Sequence, residues 1–246
     1  MKEAQQQVAI VTGASRGIGA AVAQRLAEDG YKVAVNYASN AIEAEKTVAA
    51  LRAAGHAALA VRADISRPDE VRALFDTTER ELGKVDVLVN NAGILNTVPV
   101  AEASDELFAR SFAINVQGSF NTLREAAQRL NPGGRIVNFS TTVLALRLPG
   151  YAIYSATKAA VEALTGVFAK ELRGRQIRVN AVAPGPVATE LFLDGKTPEQ
   201  IAQFAQMAPL ERLGEPRDIA SVVSFLAGPD AGWVNGQVLR VNGGLA

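Results

Sequence analysis

The chain has 246 residues, and its 25 lysine and arginine residues are balanced by 25 aspartate and glutamate residues. A chain with zero net charge has no bulk electrostatic attraction to nucleic acid or to anionic membranes, so neither is expected as a partner. Because it contains no cysteine and one histidine, disulfides, thiolate metal sites and Ser-His-Asp triads are excluded, and no metal is expected. The polar N-terminus and the lack of a long uncharged apolar run predict a cytoplasmic protein without a membrane span.

Apolar, β-branched segments alternate with helical patterns along the whole chain. Strands are predicted at 8–11, 31–37, 57–62, 85–90, 135–139, 177–182 and 238–241, and helices at 20–29, 40–54, 68–82, 104–130, 151–173 and 216–227. Prolines interrupt residues 184–215, which are expected to be irregular. The alternation predicts an α/β fold of Rossmann type: a doubly wound parallel sheet of about seven strands with helices on both faces, in a single domain over residues 1–246.

A glycine-rich turn follows the first strand. Gly13, Gly17 and Gly19 separate the apolar segment Val8–Val11 from a helical pattern. Glycine permits positive φ and lets a ligand approach the backbone, and a helix N-terminus offers unpaired N–H groups to a pyrophosphate. Because the turn stands in the first βαβ unit, where a dinucleotide-binding fingerprint belongs, it predicts a nucleotide site; a glycine-rich turn without a ligand is the alternative.

The residues expected at the adenosine end of this site favour NADP(H). An acidic residue after the second strand usually holds the ribose hydroxyl of NAD, whereas here Asn36 or Tyr37 stands in that place. Arg16, inside the glycine turn, could pair with a 2′-phosphate; the alternative is a solvated loop arginine. Asp64, just after the third strand, could accept from the adenine amino group or cap the next helix.

A tyrosine and a lysine four residues apart carry the predicted chemistry. Tyr154 and Lys158 share one helix face, because positions i and i+4 are neighbours. The ammonium is expected to lower the pKa of the phenol from about 10 toward neutrality, so that Tyr154 can exchange a proton with a carbonyl or alcohol oxygen. The small residues of Asn90–Gly93, after the fourth strand, would let a cofactor ribose lie against the backbone.

Together these motifs resemble the single-domain branch of the short-chain dehydrogenase/reductase family. Their order and approximate spacing match that family in five segments: Thr12-Gly-x-x-x-Gly-x-Gly19, Asn90–Gly93, Asn115-Val-Gln-Gly118, Tyr154–Lys158 and Pro184-Gly185. The resemblance covers nearly the whole chain, down to Val241–Gly244, where the family often has aspartate in place of Asn242. The members that the chain most resembles are 3-oxoacyl-acyl-carrier-protein reductases and glucose 1-dehydrogenase-like enzymes.

The resemblance implies roles for individual residues. Tyr154 would be the general acid/base, Lys158 would hold the nicotinamide ribose hydroxyls, and Asn115 would bind a water that relays protons to solvent. The backbone between residues 184 and 187 and the Thr189 hydroxyl would hold the nicotinamide carboxamide. The expected cofactor-binding residues are Gly13, Ser15, Arg16, Gly17, Ile18, Gly19, Asn36, Tyr37, Ala38, Asp64, Ile65, Asn91, Ala92, Gly93, Tyr154, Lys158, Pro184, Gly185, Val187 and Thr189.

One catalytic position departs from the family pattern. The resemblance implies a serine thirteen residues before the tyrosine, which orients the substrate carbonyl, and in this chain Thr141 stands there. A threonine hydroxyl has the same donor and acceptor capacity as serine, but its methyl group needs room and stiffens χ1. A shift of one residue would select Ser140 or Thr142 instead.

The predicted reaction is hydride transfer from NADPH to the carbonyl carbon of a small molecule, with protonation of the oxygen by Tyr154. The expected substrate is a 3-oxoacyl thioester or a similar ketone, which an acidic acyl carrier could present to Arg129 or Arg173. One alternative is a sugar or polyol dehydrogenase. Another, from a different class, is a regulator that senses NADP(H) without turnover.

Residues 188–214 mix apolar side chains with helix breakers and are expected to form a flap over the substrate; a static pair of surface helices is the alternative. Apolar residues at Val143, Leu144, Leu146 and Leu148 predict an apolar substrate, or else core or subunit contacts. The family is commonly tetrameric. The resemblance therefore implies a homotetramer, or a homodimer, built on the helices at 104–130 and 151–173 and on the C-terminal strand region.

Overall fold

A sheet of seven parallel strands forms the centre of the molecule, in the computed structural model that describes residues 6–246. The strands are β1 (Val8–Val11), β2 (Lys32–Tyr37), β3 (Ala58–Arg62), β4 (Val85–Asn90), β5 (Arg135–Phe139), β6 (Arg178–Pro184) and β7 (Val238–Val241). Their order in the sheet is β3-β2-β1-β4-β5-β6-β7, and every neighbouring pair is parallel. The predicted fold class is confirmed.

Helices cover both faces of this sheet. They are α1 (Gly17–Glu28), α2 (Ala41–Ala53), α3 (Pro68–Glu81), α4 (Asp105–Phe112), α5 (Gly118–Arg129), α6 (Val143–Leu146), α7 (Ala152–Glu171), α8 (Glu190–Leu193), α9 (Pro198–Met207) and α10 (Pro216–Ala227). Within residues 6–246, none of them is both long and apolar enough to cross a membrane.

Two apolar clusters hold the layers together. The first joins the sheet to α1, α2 and α10 through residues such as Val22, Val48 and Ile219, all of which are buried. The second joins the opposite face to α3 and α5 through residues such as Phe75 and Leu123, with part of α7 packed against it. Strands covered on both faces must be apolar on both faces, which explains why the central strands have continuous apolar sequences.

The long helix expected at 104–130 is interrupted. The helical turns change from α to π geometry over Ala113–Gln117 and return to α geometry at Gly118. A π turn adds one residue to a helical turn and often occurs at functional sites. Here the π turn contains Asn115, whose side chain is buried and faces the end of β4.

The segment expected to be irregular, 184–215, contains two helices, α8 and α9, so this prediction was wrong. Each begins with a threonine N-cap: Thr189 accepts a hydrogen bond from the backbone of Phe192, and Thr197 accepts one from the backbone of Gln200. Pro198 occupies the first turn of α9, where the missing N–H has no helical partner to lose. Pro198 therefore starts this helix rather than breaking it.

The position of the functional site follows from the strand order. The chain moves outward from β1 to β2 and β3, then returns to the other side of β1 with β4. In sheets of this kind ligands bind outside the carboxyl ends of the strands, at the point where the order reverses. That point lies at the carboxyl ends of β1 and β4, where the glycine turn and Asn90–Gly93 meet.

Candidate active site

The glycine turn after β1 has the backbone conformation that its sequence predicts. Gly13 and Gly17 have φ values of 61° and 57°, which residues other than glycine rarely adopt. Gly19 serves a different purpose, because a Cβ at that position would lie 2.3 Å from the carbonyl oxygen of Gly13. The turn thus folds tightly onto the first turn of α1 and leaves the helix N-terminus open to a ligand.

Thr12 and Asn91 fasten the turn to the end of β4. The buried Thr12 hydroxyl accepts hydrogen bonds from the backbone nitrogens of Asn91 and Ala92, both at 3.1 Å. In return, the Asn91 amide donates to the carbonyl oxygens of Thr12 and Gly13, both at 2.9 Å. These four bonds make the glycine turn and the fourth strand one rigid cradle.

Asn36 supports this cradle from below rather than facing a ligand. Its side chain is 1% exposed, its oxygen accepts from the backbone of Gly13 at 3.4 Å, and its amide donates to the carbonyl oxygens of Val61 and Ala63. The Asn36 side chain is therefore engaged within the fold, and a cofactor contact of Asn36 stays a prediction. Tyr37, half-buried, and Ala38, exposed, are the neighbouring residues that reach the surface there.

Two arginines stand near the predicted adenosine end. Arg16 precedes α1, and its guanidinium lies 2.6 Å from the carboxylate of Glu190 at the start of α8. Arg62, which the sequence analysis did not single out, pairs in register with Tyr37 and donates to the carbonyl oxygen of Ala38. Its place at the end of a strand next to the predicted ribose position was the signal that could have identified it.

Asp64 and Ile65 are only partly available to a ligand. One carboxylate oxygen of Asp64 accepts from the backbone and the hydroxyl of Ser66, at 2.9 and 2.7 Å, so it forms a local turn ahead of α3. The side chain of Ile65 is buried against Gly118, where a Cβ would lie 2.6 Å from it. The buried side chain of Ile65 belongs to the core, so only the backbone atoms of this residue can contact a cofactor.

A cavity that is partly open to solvent lies beside the cradle. Its floor carries polar atoms of Asn91, Thr141, Tyr154 and Lys158, next to Gly93 and Gly185. Its remaining walls are mainly apolar: Ile18, Ile94, Leu95, Val143, Leu146, Leu148, Pro186, Val187, Leu191, Phe192 and Phe204. Leu144, which the sequence analysis included among the walls, is not one of the lining residues.

Tyr154 and Lys158 meet as their spacing predicts, but their pKa values do not shift as expected. The Lys158 ammonium lies 5.7 Å from the centre of the Tyr154 ring and donates to the carbonyl oxygen of Phe139 at 2.8 Å. Burial raises the pKa of the Tyr154 phenol to about 12, and burial lowers the pKa of the Lys158 ammonium to about 8. Desolvation of the charged forms is thus the largest cause of both pKa shifts.

Of the three hydroxyls at 140–142, that of Thr141 faces the phenol. It accepts from the backbone nitrogen of Val143 at 3.3 Å, and it acts to lower the phenol pKa against the larger effect of burial. Ser140 instead donates to the carboxylate of Glu162 at 2.5 Å, and Thr142 donates to the carbonyl oxygen of Ala183 at 3.0 Å. The alternative assignments to Ser140 and Thr142 are thereby disfavoured by geometry.

Asn115 clasps the backbone after β4. Its side-chain oxygen accepts from the nitrogen of Ile94 at 2.8 Å, and its amide donates to the oxygen of Ile94 at 2.9 Å and to Thr157 at 3.1 Å. Gly93 lies beside it: a Cβ on Gly93 would be 3.2 Å from the Asn115 oxygen and 3.5 Å from the Lys158 ammonium. The absence of a side chain at Gly93 therefore keeps a channel to both groups.

The residues after β6 form the opposite rim. Gly185 donates to the carbonyl oxygen of Val241, and a Cβ on Gly185 would lie 2.8 Å from that of Asn242. Val187 is buried and forms an isolated parallel bridge with Gly214. Pro184, Gly185, Val187 and Thr189 thus lie along one edge of the cavity, as the sequence analysis expected of a nicotinamide site.

Helices α8 and α9 close the cavity from above. Phe192 and Phe204, one from each helix, meet edge to face with ring centres 5.2 Å apart, and both line the cavity. The ammonium of Lys196 lies over the outer side, 4.6 Å from the centre of the Phe192 ring. Residues 188–214 thus contribute two helices to the lining of the cavity, and the role of this segment as a flap stays a prediction.

Arg129 and Arg173 are at the wrong edge of the sheet to receive a substrate carrier. Helices α5 and α7 return antiparallel to the strands, so their carboxyl ends lie opposite the cavity. Arg129 is moreover engaged by three carboxylates, from Asp76, Glu79 and Glu125, at distances of 2.7, 2.6 and 3.6 Å. The predicted role of these arginines at the pocket mouth is wrong for this geometric reason.

A second, shallow groove lies on the outer face of α4, the π turn, α5 and α7. Its lining is almost wholly apolar: Ala109, Phe112, Ala113, Val116, Gln117, Phe120, Ala160, Ala163, Leu164 and Val167. Phe120 and Val167 are 46% and 56% exposed. Elsewhere, at the C-terminal end, Trp233 is fully exposed. Among residues 6–246, no group of three or more histidine, aspartate or glutamate side chains has a metal-binding arrangement.

Comparison with known proteins extends these observations. A family model described as enoyl-(acyl carrier protein) reductase matches residues 13–246. The chain is 45% identical to a short-chain type dehydrogenase/reductase of Picea abies, over 97% of this chain and 92% of that protein. It is 43% identical to a chloroplastic NADPH-dependent aldehyde reductase-like protein of Arabidopsis thaliana, over 97% of this chain and 93% of that protein. A Burkholderia cenocepacia short-chain dehydrogenase solved in complex with NADP superposes with a TM-score of 0.91 and 36% identity, over 99% of both chains.

Proposed function

Since the chain belongs to the short-chain dehydrogenase/reductase family, we propose that it reduces apolar aldehydes and ketones with the hydride of NADPH. It is an NADP-dependent oxidoreductase, the class to which the Arabidopsis relative and the Burkholderia structure also point. The observation that carries the finer proposal is the composition of the cavity. Two facing hydroxyls, Thr141 and Tyr154, stand at the floor of a chamber whose walls are otherwise mainly apolar.

The residues around the cradle fit NADP(H). The positive φ of Gly13 and Gly17 leaves backbone N–H groups of the turn and of α1 open to a pyrophosphate. Positions 36–38 contain no carboxylate. A carboxylate there would repel a 2′-phosphate. Arg16 offers a guanidinium, whose planar donors match phosphate oxygens. When bound, the cofactor supplies the hydride; the protein supplies orientation and the proton.

Tyr154 serves as the general acid. Because burial keeps its pKa at about 12, the phenol stays protonated through the neutral range and can donate to the carbonyl oxygen of the substrate. The Thr141 hydroxyl faces the same point and donates a second hydrogen bond to that oxygen. Two donors aimed at one oxygen stabilise the negative charge that develops there as hydride arrives at carbon.

Lys158 and Asn115 support the acid. Lys158 is held by Phe139 at the floor of the cavity, where its ammonium can donate to ribose hydroxyls beside Gly93. Both N–H groups of Asn115 are already engaged, so only its oxygen retains an acceptor position for the water that the sequence analysis placed there. A water held at the Asn115 oxygen, rather than the amide itself, would carry the proton between the site and solvent.

The cavity favours an apolar carbonyl compound over a sugar. A sugar needs several fixed donors and acceptors, because each hydroxyl moved out of water without a partner costs free energy. The lining residues include no carboxylate and no guanidinium, and most of them are apolar. Glucose-type substrates are therefore the less favoured alternative. A 3-oxoacyl thioester remains compatible with the apolar walls, although no basic patch flanks them at Arg129 or Arg173.

The groove on α4, α5 and α7 supports the proposal of a homotetramer, or of a homodimer. It is lined by small alanines and by large, partly exposed rings, which permits close packing of helices from a second copy. Light scattering combined with size-exclusion chromatography tests this. A Phe120→Glu variant should shift the mass toward the monomer, and an unchanged oligomer would contradict the use of this face. The expected cytoplasmic location stays a prediction.

The proposed reaction is tested by following NADPH oxidation against a panel of carbonyl compounds, with NADH in parallel. The panel includes aromatic and aliphatic aldehydes, diketones, quinones and acetoacetyl thioester; oxidation of sugars and polyols with NADP⁺ is measured beside it. Turnover of apolar carbonyls with NADPH well above NADH supports the proposal. Turnover of sugars alone would contradict it, and NADPH binding without any turnover would favour the regulator.

A further inference from the structure

The ion pair between Arg16 and Glu190 joins the cofactor cradle to the wall of the cavity. The guanidinium Nη1 and carboxylate Oε2 are 2.6 Å apart, although the residues are 174 positions apart in sequence. Arg16 immediately precedes α1, and Glu190 is the first residue of α8. Among residues 6–246, neither side chain has another ion-pair partner within 4 Å.

The turn that carries Arg16 touches both ends of the expected cofactor site. On one side, the backbone of Ala14 donates to the carbonyl oxygen of Asn36 at 2.9 Å, next to the surface residues expected at the adenosine ribose. On the other side, a Cβ on Gly17 would lie 3.6 Å from the methyl group of Thr189. The Arg16 side chain can therefore turn toward the 2′-phosphate position or toward Glu190.

Binding of a carboxylate and a phosphate to one exposed guanidinium at the same time costs free energy. Each attracts the arginine, but the two anions repel one another at the distances that a shared guanidinium imposes. A 2′-phosphate carries more negative charge than a carboxylate and matches the guanidinium donors as well. Binding of the phosphate at Arg16 and retention of the Glu190 contact are thus competing events.

We infer that Glu190 is a determinant of cofactor selectivity, which competes with the 2′-phosphate of NADP(H) for Arg16, so that α8 loses its contact with the glycine turn when the phosphate binds. This rests on the proposed function, in which Arg16 receives that phosphate. NAD(H) has no 2′-phosphate and leaves the Arg16–Glu190 pair intact. The selectivity of the protein for NADP(H) is accordingly smaller than Arg16 alone would give.

The competition reaches the substrate cavity through α8. Leu191 and Phe192 follow Glu190 directly, and both line the cavity. The helix has only four residues: Thr189 caps its start, Phe192 packs against Phe204, and the Glu190 carboxylate links it to the glycine turn. Loss of the Arg16 contact therefore removes one restraint on the part of the cavity wall that Leu191 and Phe192 form.

The expected effect is modest, because both side chains are largely in water. The side chains of Arg16 and Glu190 are 56% and 73% exposed, and exposed ion pairs contribute little free energy. Removal of the competitor should therefore lower the Kd for NADPH by about two- to fivefold and leave the Kd for NADH unchanged.

The test is a titration of nicotinamide fluorescence with NADPH and with NADH for four proteins: the wild type, Glu190→Gln, Arg16→Leu and the double variant. Glu211→Gln is the matched control, because Glu211 lies in the same segment, is exposed and forms no ion pair within 4 Å among residues 6–246. It removes the same charge without touching Arg16.

Tighter NADPH binding in Glu190→Gln, unchanged NADH binding, and no effect of the same change in the Arg16→Leu background support the inference. Equal changes for both cofactors, a matching change in Glu211→Gln, or no change at all would overturn it. If Arg16→Leu leaves NADPH binding unaltered, the proposed role of Arg16 fails first and the inference falls with it; if Arg16→Leu weakens NADPH alone, only the role of Glu190 is in question.

Hydrogen exchange supplies a second reading that needs no turnover and no nicotinamide. Adenosine 2′,5′-bisphosphate carries the 2′-phosphate, and AMP does not. The amides of Phe192, Leu193 and Asp194, which close α8, should exchange faster with the bisphosphate than with AMP. Equal exchange with both nucleotides would overturn the release of α8.

Discussion

The ammonium of Lys158 is fixed by the carbonyl oxygen of Phe139, 2.8 Å away, at a buried position under the phenol of Tyr154. Burial lowers the pKa of this lysine to about 8. At neutral pH the ammonium is still charged, and keeping this charge in a buried position lowers the stability of the fold. This loss of stability is consistent with a role of Lys158 in the chemistry of the site rather than in the stability of the fold.

Lys158→Met should therefore stabilise the protein without cofactor while abolishing turnover. The folded pKa of about 8 lies below the unfolded value of 10.5, so between these values the unfolded chain binds more protons and wild-type stability rises with pH. At pH 7 the variant should gain about 1–3 kcal/mol in unfolding free energy, and the gain should shrink as the pH rises through about 8 to 10. Urea denaturation at several pH values measures this. A variant less stable than the wild type at every pH would contradict it.

Substitutions at Thr141 separate the hydroxyl from the methyl group. Thr141→Ser keeps the donor that faces Tyr154 and should retain kcat within about fivefold, whereas Thr141→Val should lower kcat by about 10²–10³-fold because a donor to the developing oxyanion is lost. Ser140→Ala is the control, since its hydroxyl is bonded to Glu162. If Ser140→Ala were the more damaging change, the assignment to Thr141 would be wrong.

Asn115→Ala should destabilise the fold and weaken cofactor binding together. The side chain is 1% exposed and makes three hydrogen bonds, two of them to Ile94, so its removal leaves buried backbone groups unpaired. The expected loss is about 2–4 kcal/mol in unfolding free energy. Asn40→Ala, which removes an exposed helix cap, should cost about 1 kcal/mol and leave the Kd for NADPH unchanged. Comparable losses in both variants would count against a special role of Asn115.

Truncation of the aromatic pair over the cavity should act on substrate rather than on cofactor. Phe204→Ala removes the edge-to-face partner of Phe192 and apolar area from the wall. We expect the KM for an apolar aldehyde to rise about tenfold, with kcat and the Kd for NADPH changed by less than about twofold. Ile42→Ala, at an exposed position on α2, is the control. A fall in kcat at constant KM would show that α9 serves the chemistry rather than binding.

Much of this site follows from local sequence, because each of its main parts lies within one element. The glycine turn, the four-residue spacing of Tyr154 and Lys158, and the end of β4 depend on neighbours along the chain, and sequence predicts such features well. The same reasoning identified the parallel sheet. The family resemblance pointed to Thr141, thirteen residues before Tyr154, and left Ser140 and Thr142 open, because three hydroxyl residues follow β5 in succession.

What sequence could not supply depends on contacts between distant segments. The inward side chain of Asn36, its bonds to β3, and the ion pair of Arg16 with Glu190 join residues far apart in the chain. The pKa of Tyr154 is another case: a lysine one turn away predicts a fall, but the burial of both groups is set by the whole fold and raises it. The helix α9 was missed because Pro198 was interpreted as a break rather than as a start.

The most direct test of the account compares turnover with cofactor binding in Tyr154→Phe. The change removes one oxygen from the cavity floor and leaves the ring in place. The account predicts that kcat for reduction of an apolar carbonyl by NADPH falls by about 10²–10⁴-fold, because a general acid is lost, while the Kd for NADPH stays within about threefold of the wild type. Retained turnover, or equal loss of turnover and of NADPH binding, would contradict the assignment of Tyr154 as the proton donor.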